Sequence, residues 1–333
     1  MTIYLNASSH GLPASNTCVR MARHTAEEAR LGTYTAALAV ADEVAGIRLL
    51  AAHLLGAMPE RTGFSATTTD AWLRIVAQLE LHGRRVLVAA HEWGDNVRML
   101  RRLGARVEVI RGRTPADWEA RIDDDLAAIF APMVTSVQGL HYPVAGIGAL
   151  PRPDGCRFIV DAAQALGRMP VDVGLIGCDA LVATGRKWLR GPRGTAIFWL
   201  TPGMGVVGDV EPFDSPVAAR LGLGAALEDA MRGDVVVTAR DLARLRLHGV
   251  EAAGRTGLTV LEGGPGGALA IRVNDPARVT AALNTAGIVA KLPDAMRDEP
   301  EAPCPGPVVR LSPHIYNTTH EIDRAIAVIA NVQ

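Results

Sequence analysis

The feature that most constrains the fold is a rhythm in the middle of the chain. Short apolar runs recur there, separated by turns and by segments whose apolar residues have helical spacing. Val86–Ala90, Arg106–Ile110, Ala127–Val134, Arg157–Asp161, Ala180–Thr184 and Thr195–Leu200 read as strands, and Asn96–Leu103 and Pro115–Leu126 as helices between them. Apolar runs without alternation are what a strand buried on both faces requires, and helices in the connections cover those faces. The expectation is an α/β fold with a mostly parallel sheet, which takes its ligands at the carboxyl ends of its strands.

The texture changes near residue 235. A long helix through Asp241–Val250 leads to Val260 and Leu261, a Gly-rich turn at Gly263–Gly267 and a strand at Ala268–Val273. A helix over Pro276–Ala286, a strand at Val308–Leu311 and a final helix from about Thr319 follow. This order predicts a large domain over residues 15–235 and a smaller α+β domain formed by 236–333 with the N-terminal segment 1–14.

Several classes are excluded. A net charge of −1 gives no electrostatic footprint for nucleic acid. No apolar run reaches the roughly 18 residues of a membrane span, and MTIYLNASSHGLP lacks the regions of a signal peptide. Cys18, Cys156, Cys178 and Cys304 show no metal-ligand spacing, so the expectation is a metal-free protein of the reducing cytoplasm. Gly203, Gly205 and Gly208 fit the dinucleotide-binding glycine pattern, but Pro202, Pro212 and Pro216 surround them, which argues for a loop and not for a helix opening on a pyrophosphate.

Of 34 basic residues only Lys187 and Lys291 are lysines. GC-rich coding explains most of that depletion. It does not explain the position of Lys187, which lies just past one predicted strand while Asp161 ends the strand before it. Both fall on the ligand-binding edge. Pyridoxal phosphate needs such a pair: a lysine to hold its aldehyde, and an anion opposite the pyridine nitrogen to keep the ring an electron sink. Lys291, in Val289-Ala-Lys-Leu-Pro293, has no accompanying motif and reads as a residue without a role.

Asp161-Ala-Ala-Gln164, Thr184-Gly-Arg-Lys187-Trp188 and Gly191-Pro-Arg-Gly194 together resemble the class V aminotransferase family, the cysteine desulfurase-like branch of fold-type I pyridoxal-phosphate enzymes. The resemblance implies a seven-stranded-type sheet, a Schiff-base role for Lys187 and pairing of Asp161 with the pyridinium. It assigns Gln164 to the ring O3′ and Thr184 and Arg186 to the phosphate, with Arg186 standing where the family often has His. Ala66-Thr-Thr-Thr-Asp-Ala71 is similar to the family's phosphate loop, implicating Thr68 and Thr69; Trp93 takes the ring-stacking position and Ser136 a place near O3′ or substrate. Ser215, in Phe213-Asp-Ser-Pro216, is similar to the segment that reaches the neighbour's phosphate in a homodimer, and Arg310, in Arg-Leu-Ser-Pro-His-Ile-Tyr316, to the arginine that grips the α-carboxylate.

The family supports transamination, desulfuration, epimerisation and β-elimination, so the fold does not fix the reaction. Desulfurases of the branch carry a nucleophilic cysteine on a mobile loop about fifteen residues before the carboxylate arginine. Cys304 lies six residues before Arg310 among prolines, a stiff setting. The remaining cysteines read as buried small hydrophobes. Tyr4–Pro13, Thr67–Trp72 and His91–Asn96 further resemble the carbon–sulfur lyases of the family, which implies a lyase acting on a small-molecule cysteine S-conjugate or its sulfoxide, with a cysteine desulfurase or an aminotransferase or epimerase as alternatives. His10, Tyr34, His91, Tyr142 and His314 are candidate substrate-facing groups, His10 being preferred because the family's N-terminal segment folds over the active site.

Overall fold

The computed structural model describes residues 2–211, 214–303 and 306–333, so Phe213 and Cys304 lie outside the described residues. In chain order the strands are β1 (Ile3–Tyr4), β2 (Thr62–Ser65), β3 (Arg85–Ala89), β4 (Arg106–Ile110), β5 (Leu126–Pro132), β6 (Arg157–Asp161), β7 (Ala180–Thr184), β8 (Ala196–Leu200), β9 (Leu269–Arg272), β10 (Ile288–Val289) and β11 (Val308–Leu311).

Seven of them form one sheet in the order β2-β8-β7-β6-β5-β3-β4. The pairs from β7 across to β4 are parallel, and β8 runs antiparallel to both β2 and β7. The apolar runs explain why the sheet is a middle layer. Leu87, Ile129, Phe158, Val160, Leu181 and Ala183 point into one core cluster, and Val86, Val88, Phe130, Ile159 and Val182 into another on the opposite face. Successive side chains alternate between faces, so a strand that is buried on both must be apolar at nearly every position.

Two expected elements are drawn differently. The helix from Pro115 stops at Glu119, opened by a capping box in which Thr114 and Asp117 satisfy each other's backbone amides. Three successive carboxylates, Asp123 to Asp125, would oppose the dipole at the C-terminus of a longer helix; Asp123 pairs with Arg85 instead, and β5 begins at Leu126. The Gly203–Gly208 loop carries one short helix, Val207–Val210.

A third cluster of buried side chains forms outside the seven-stranded sheet. The antiparallel pair β9–β11 and the parallel pair β1–β10 pack with the helices Val235–Arg255, Pro276–Thr285 and Thr319–Ala330 around Leu5, Leu269, Ile271, Val309, Leu311, Ile322 and Ile326. The N-terminal segment crosses from this cluster to the large sheet. Ala7 donates to the Ser312 carbonyl at 3.0 Å, and four residues later Gly11 donates to the Arg186 carbonyl at 2.8 Å. Gly11 has to be glycine there, because a Cβ would lie 2.3 Å from the Lys187 carbonyl oxygen. Among the described residues no helix is long and apolar enough to cross a membrane.

Candidate active site

Strand register builds the site. Asp161 at the end of β6 lies opposite Pro132 of β5 and Val182 of β7, and Ser65 of β2 and Thr184 of β7 both face Ala196 of β8. The carboxyl ends of β2, β5, β6 and β7 therefore share one edge. A cavity of about 560 Å³ opens there, lined by Thr68, Thr69, Trp93, Ser136, Asp161, Gln164, Arg186, Lys187 and Arg310 among others. Nine of the twelve residues singled out from the sequence are thus brought together.

The other three lie off the cavity wall. Thr184 is buried beneath it, at the end of β7, where its hydroxyl accepts from Arg186 Nη1 at 3.1 Å. His10 turns its Nδ1 to the Gly11 carbonyl at 2.7 Å, and its neighbours Ser8 and Ser9 line the cavity instead. Ser215 accepts from Arg220 Nη2 at 3.3 Å and stands clear of this chain's own cavity. Of the further substrate-facing candidates, His91 alone reaches the cavity. Tyr142 is buried behind it, its hydroxyl 2.8 Å from His91 Nδ1; His314 stacks between Trp188 and Tyr316; and Tyr34 is exposed.

One end of the cavity suits a phosphate. The helix Thr68–Val76 opens on it, with Thr67 as N-cap accepting from the Asp70 amide at 3.0 Å. The Thr68 and Thr69 amides precede the first intrahelical bonds and point outward at the positive end of the helix dipole. Arg186 and Arg193 add cationic donors on the same wall.

The opposite wall suits a cationic ring nitrogen. Asp161 accepts from the Ala163 amide at 2.8 Å through Oδ1, and Asn96 Nδ2 reaches its Oδ2 at 3.5 Å. The same Asn96 amide donates to Glu92 Oε1 at 2.9 Å, an oxygen that also accepts from the Trp93 amide at 2.9 Å. Burial, then the charge of Asp161, pushes the Glu92 carboxyl up to about 8. Burial also raises Asp161, but the Ala163 amide and the cations of Lys187 and Arg186 oppose it. Of the two carboxyls Asp161 keeps the charge and Glu92 keeps the proton. Sequence reading gave Glu92 and Asn96 no role because their partner arrives from another strand; the local signal was an acid and an amide four residues apart where β3 leads into the helix Gly94–Arg102.

Lys187 sits between these walls. Burial first, then Arg186, lowers its amine to about 7, so a large fraction is neutral and nucleophilic at physiological pH. Gln164 is oriented from both ends: its Oε1 accepts from Trp188 Nε1 at 2.9 Å, and its Nε2 donates to the Ser8 carbonyl at 3.0 Å. Arg310 is buried and anchored by Nη1 to the Ser136 carbonyl at 2.5 Å and by Nη2 to Ser9 Oγ at 2.7 Å, while its buried Nε has no hydrogen-bond partner among the described residues. An unpartnered buried donor on a cationic fork calls for an anionic ligand. The amine, the acid, the phosphate cradle and this fork fit pyridoxal phosphate bound to an amino acid.

None of the three described cysteines lines this cavity. Cys156 and Cys178 are buried, with burial lifting their thiols to about 11 and about 12. Cys18 departs from its expected buried role: it is exposed on the helix Ser15–Leu31.

Comparison with known proteins places the chain in a family. The family model described as Aminotransferase class-V matches residues 14–207. A probable hercynylcysteine sulfoxide lyase of Mycobacterium tuberculosis (strain CDC 1551 / Oshkosh) is 27% identical over 343 aligned residues, which cover 91% of this chain and 83% of that protein. Among solved structures, the apo cysteine desulfurase of Thermococcus onnurineus NA1 superposes with a TM-score of 0.86 at 19% identity, covering 99% of this chain and 94% of its own. The cystine C–S lyase C-DES, solved with its product cysteine persulfide, does so with a TM-score of 0.87 at 16% identity, covering 99% and 98%. With the family model matching residues 14–207, more than half of this chain, the chain belongs to the class-V aminotransferases and is a pyridoxal-phosphate-dependent enzyme.

Proposed function

We propose that the enzyme is a carbon–sulfur lyase that removes the sulfur substituent of a cysteine S-conjugate by β-elimination, with hercynylcysteine sulfoxide as its substrate and the route to ergothioneine as its setting. The observation that carries the reading is the near-full-length likeness to the hercynylcysteine sulfoxide lyase, joined to a cavity in which no described cysteine stands ready to accept sulfur.

The residues divide the work as follows. Arg310 holds the α-carboxylate and fixes which face of Cα is presented to Lys187. Thr68, Thr69 and Arg186 hold the cofactor phosphate, and Asp161 holds the ring nitrogen protonated. When bound, the cofactor supplies an electron sink conjugated to Cα. Lys187 Nζ takes the Cα proton, the Cβ–S bond breaks with its electron pair leaving on sulfur, and hydrolysis of the three-carbon remainder yields pyruvate and ammonia. From a sulfoxide, the sulfur group departs as a sulfenate; the elimination itself consumes no oxidant or reductant, and a two-electron reductant such as an external thiol then takes the sulfenate to the thiol level, its oxygen leaving as water. The resemblance further supports a homodimer in which Ser215 reaches the cofactor phosphate of a second copy.

Supplying cysteine, alanine with a keto acid, and a cysteine S-oxide conjugate separates the reactions. Pyruvate and ammonia from the S-oxide is the expected result. Alanine and persulfide from cysteine would make the enzyme a desulfurase, and amino-group transfer from alanine an aminotransferase.

A further inference from the structure

The second lysine is on the same cavity as the first. Lys291 follows β10 and pairs with Arg310 of β11 in an isolated antiparallel bridge: its amide donates to the Arg310 carbonyl at 3.2 Å, and the Arg310 amide donates back at 2.7 Å. Residues directly opposite in an antiparallel pair project their side chains to the same side. Lys291 and Arg310 accordingly both line the cavity, the arginine buried at depth and the lysine exposed at the mouth. Arg297, on the short helix Ala295–Asp298, also lines the mouth and is exposed. Among the described residues neither side chain has an ion-pair partner within 4.0 Å. Asp298 lines the same cavity and its carboxyl feels Arg310, Lys291 and Arg297; even with its charge set against them, the two outer cations leave one positive charge beyond the buried Arg310 fork that takes the α-carboxylate.

We propose that Lys291, with Arg297 beside it, is a specificity site for a second anionic group on the substrate: a carboxylate carried by the substituent on sulfur. The substrate class is then a cysteine conjugate with one carboxylate at Cα and another beyond the scissile bond. This inference rests on the carbon–sulfur lyase reading. The order of recognition follows from depth, Arg310 fixing the reacting end and Lys291 selecting the far end. Because Lys291 is exposed, its share is that of a partly screened ion pair with a charge-assisted hydrogen bond, on the order of fivefold in affinity.

Binding of unreactive ligands tests this without turnover. 3-(Carboxymethylthio)propanoate and 3-(ethylthio)propanoate lack the amino group and differ chiefly in the distal carboxylate. By titration calorimetry on the cofactor-loaded enzyme, the dicarboxylate is expected to bind about fivefold more tightly, with the preference shrinking as salt is raised. Lys291→Gln should abolish most of that preference, and Arg297→Gln should reduce it. Equal weakening of both ligands in Lys291→Gln would mean that the lysine serves the α-carboxylate alone, and an undiminished preference would remove it from recognition; either overturns the proposal. Absence of pyruvate from every conjugate would instead sink the lyase reading, while leaving the calorimetric ratio to be read on its own.

Discussion

Replacing Glu92 by Gln should make the protein more stable, and increasingly so as pH rises. Glu92 is 1% exposed, and one of its oxygens holds both the Trp93 and Asn96 amides. Its carboxyl moves from 4.5 in the unfolded chain to about 8 in the native state. A group raised in the folded state contributes stability that is whole below its unfolded pKa and is lost as pH climbs through its folded one. Between about pH 4.5 and 8 the native protein retains a proton that the unfolded chain has released, and each pH unit in that window costs about 1.4 kcal/mol. The ceiling is roughly 5 kcal/mol at pH 8, a large fraction of the total stability of a domain. Gln keeps an acceptor oxygen for the two amides and cannot ionise, so Glu92→Gln escapes this loss. Urea unfolding of both proteins from pH 5 to pH 8.5, at equal cofactor concentration, is the measurement. The two curves should start together near pH 5 and diverge by several kcal/mol, the variant lying above. A difference that is constant with pH would refute the reasoning, since it would place an ionised Glu92 beside Asp161.

Four further outcomes follow from the cavity. Lys187→Ala should fold but hold no cofactor absorbance resistant to dialysis, and pyruvate release should fall by about 10³-fold or more, in the range expected for loss of a positioned base. Asp161→Asn should bind cofactor while losing about 10²-fold in the rate of Cα–H exchange with deuterated water; an unchanged exchange rate would remove Asp161 from the chemistry. Arg310→Lys keeps the charge but loses the planar fork, so KM should rise by about tenfold with a smaller change in kcat. A cysteine S-oxide should outrun its parent thioether in pyruvate release, and a thioether turned over as fast would count against an unassisted leaving group.

The large sheet was legible because its strands are buried on both faces and therefore carry almost no polar positions to blur them. Strand-end chemistry was legible for the same reason: once β6 and β7 are located, Asp161 and Lys187 fall on one edge. What escaped was set by contacts between distant segments. β2 is only Thr-Gly-Phe-Ser, an edge strand with little apolar signal, defined by its pairing with β8. Helix Ser15–Leu31 buries Thr17 and His24, both polar, so its buried positions carry no apolar signal. The helix Val217–Arg232 buries nine consecutive residues, from Ala219 to Leu227, and so lacks the one-sided pattern by which a surface helix is recognised. Lys291 looked idle because its partner, Arg310, is joined to it by a backbone bridge that no local motif announces. His10 failed for the opposite reason: the segment was placed correctly over the site, but which of three adjacent side chains faces inward depends on the turn at Asn6–His10, where Ser9 and His10 both bond back to the Asn6 carbonyl.

The position and protonation of the groups around the cavity bear on how the sulfur leaves. A departing alkyl thiolate is a poor leaving group unless an acid meets it. His91 is the imidazole on the cavity wall, and burial, reinforced by Arg113, holds it down at about 4, so it carries no spare proton at neutral pH. Behind it the Tyr142 hydroxyl is engaged with His91 Nδ1, and burial raises its pKa, making it a weaker acid still. Glu92 keeps its proton but lies on the Asp161 side, tied to Asn96 and Trp93. The Lys187 amine, once it has taken the Cα proton, is a newly formed acid in the cavity; Asp298, a cavity-lining carboxyl that burial raises, is drawn toward its charged form by Arg310 and Lys291, and Arg310 favours negative charge there without donating a proton. A site so arranged stabilises an anionic leaving group in preference to protonating one. An S-oxide meets that condition because its sulfenate spreads charge over sulfur and oxygen.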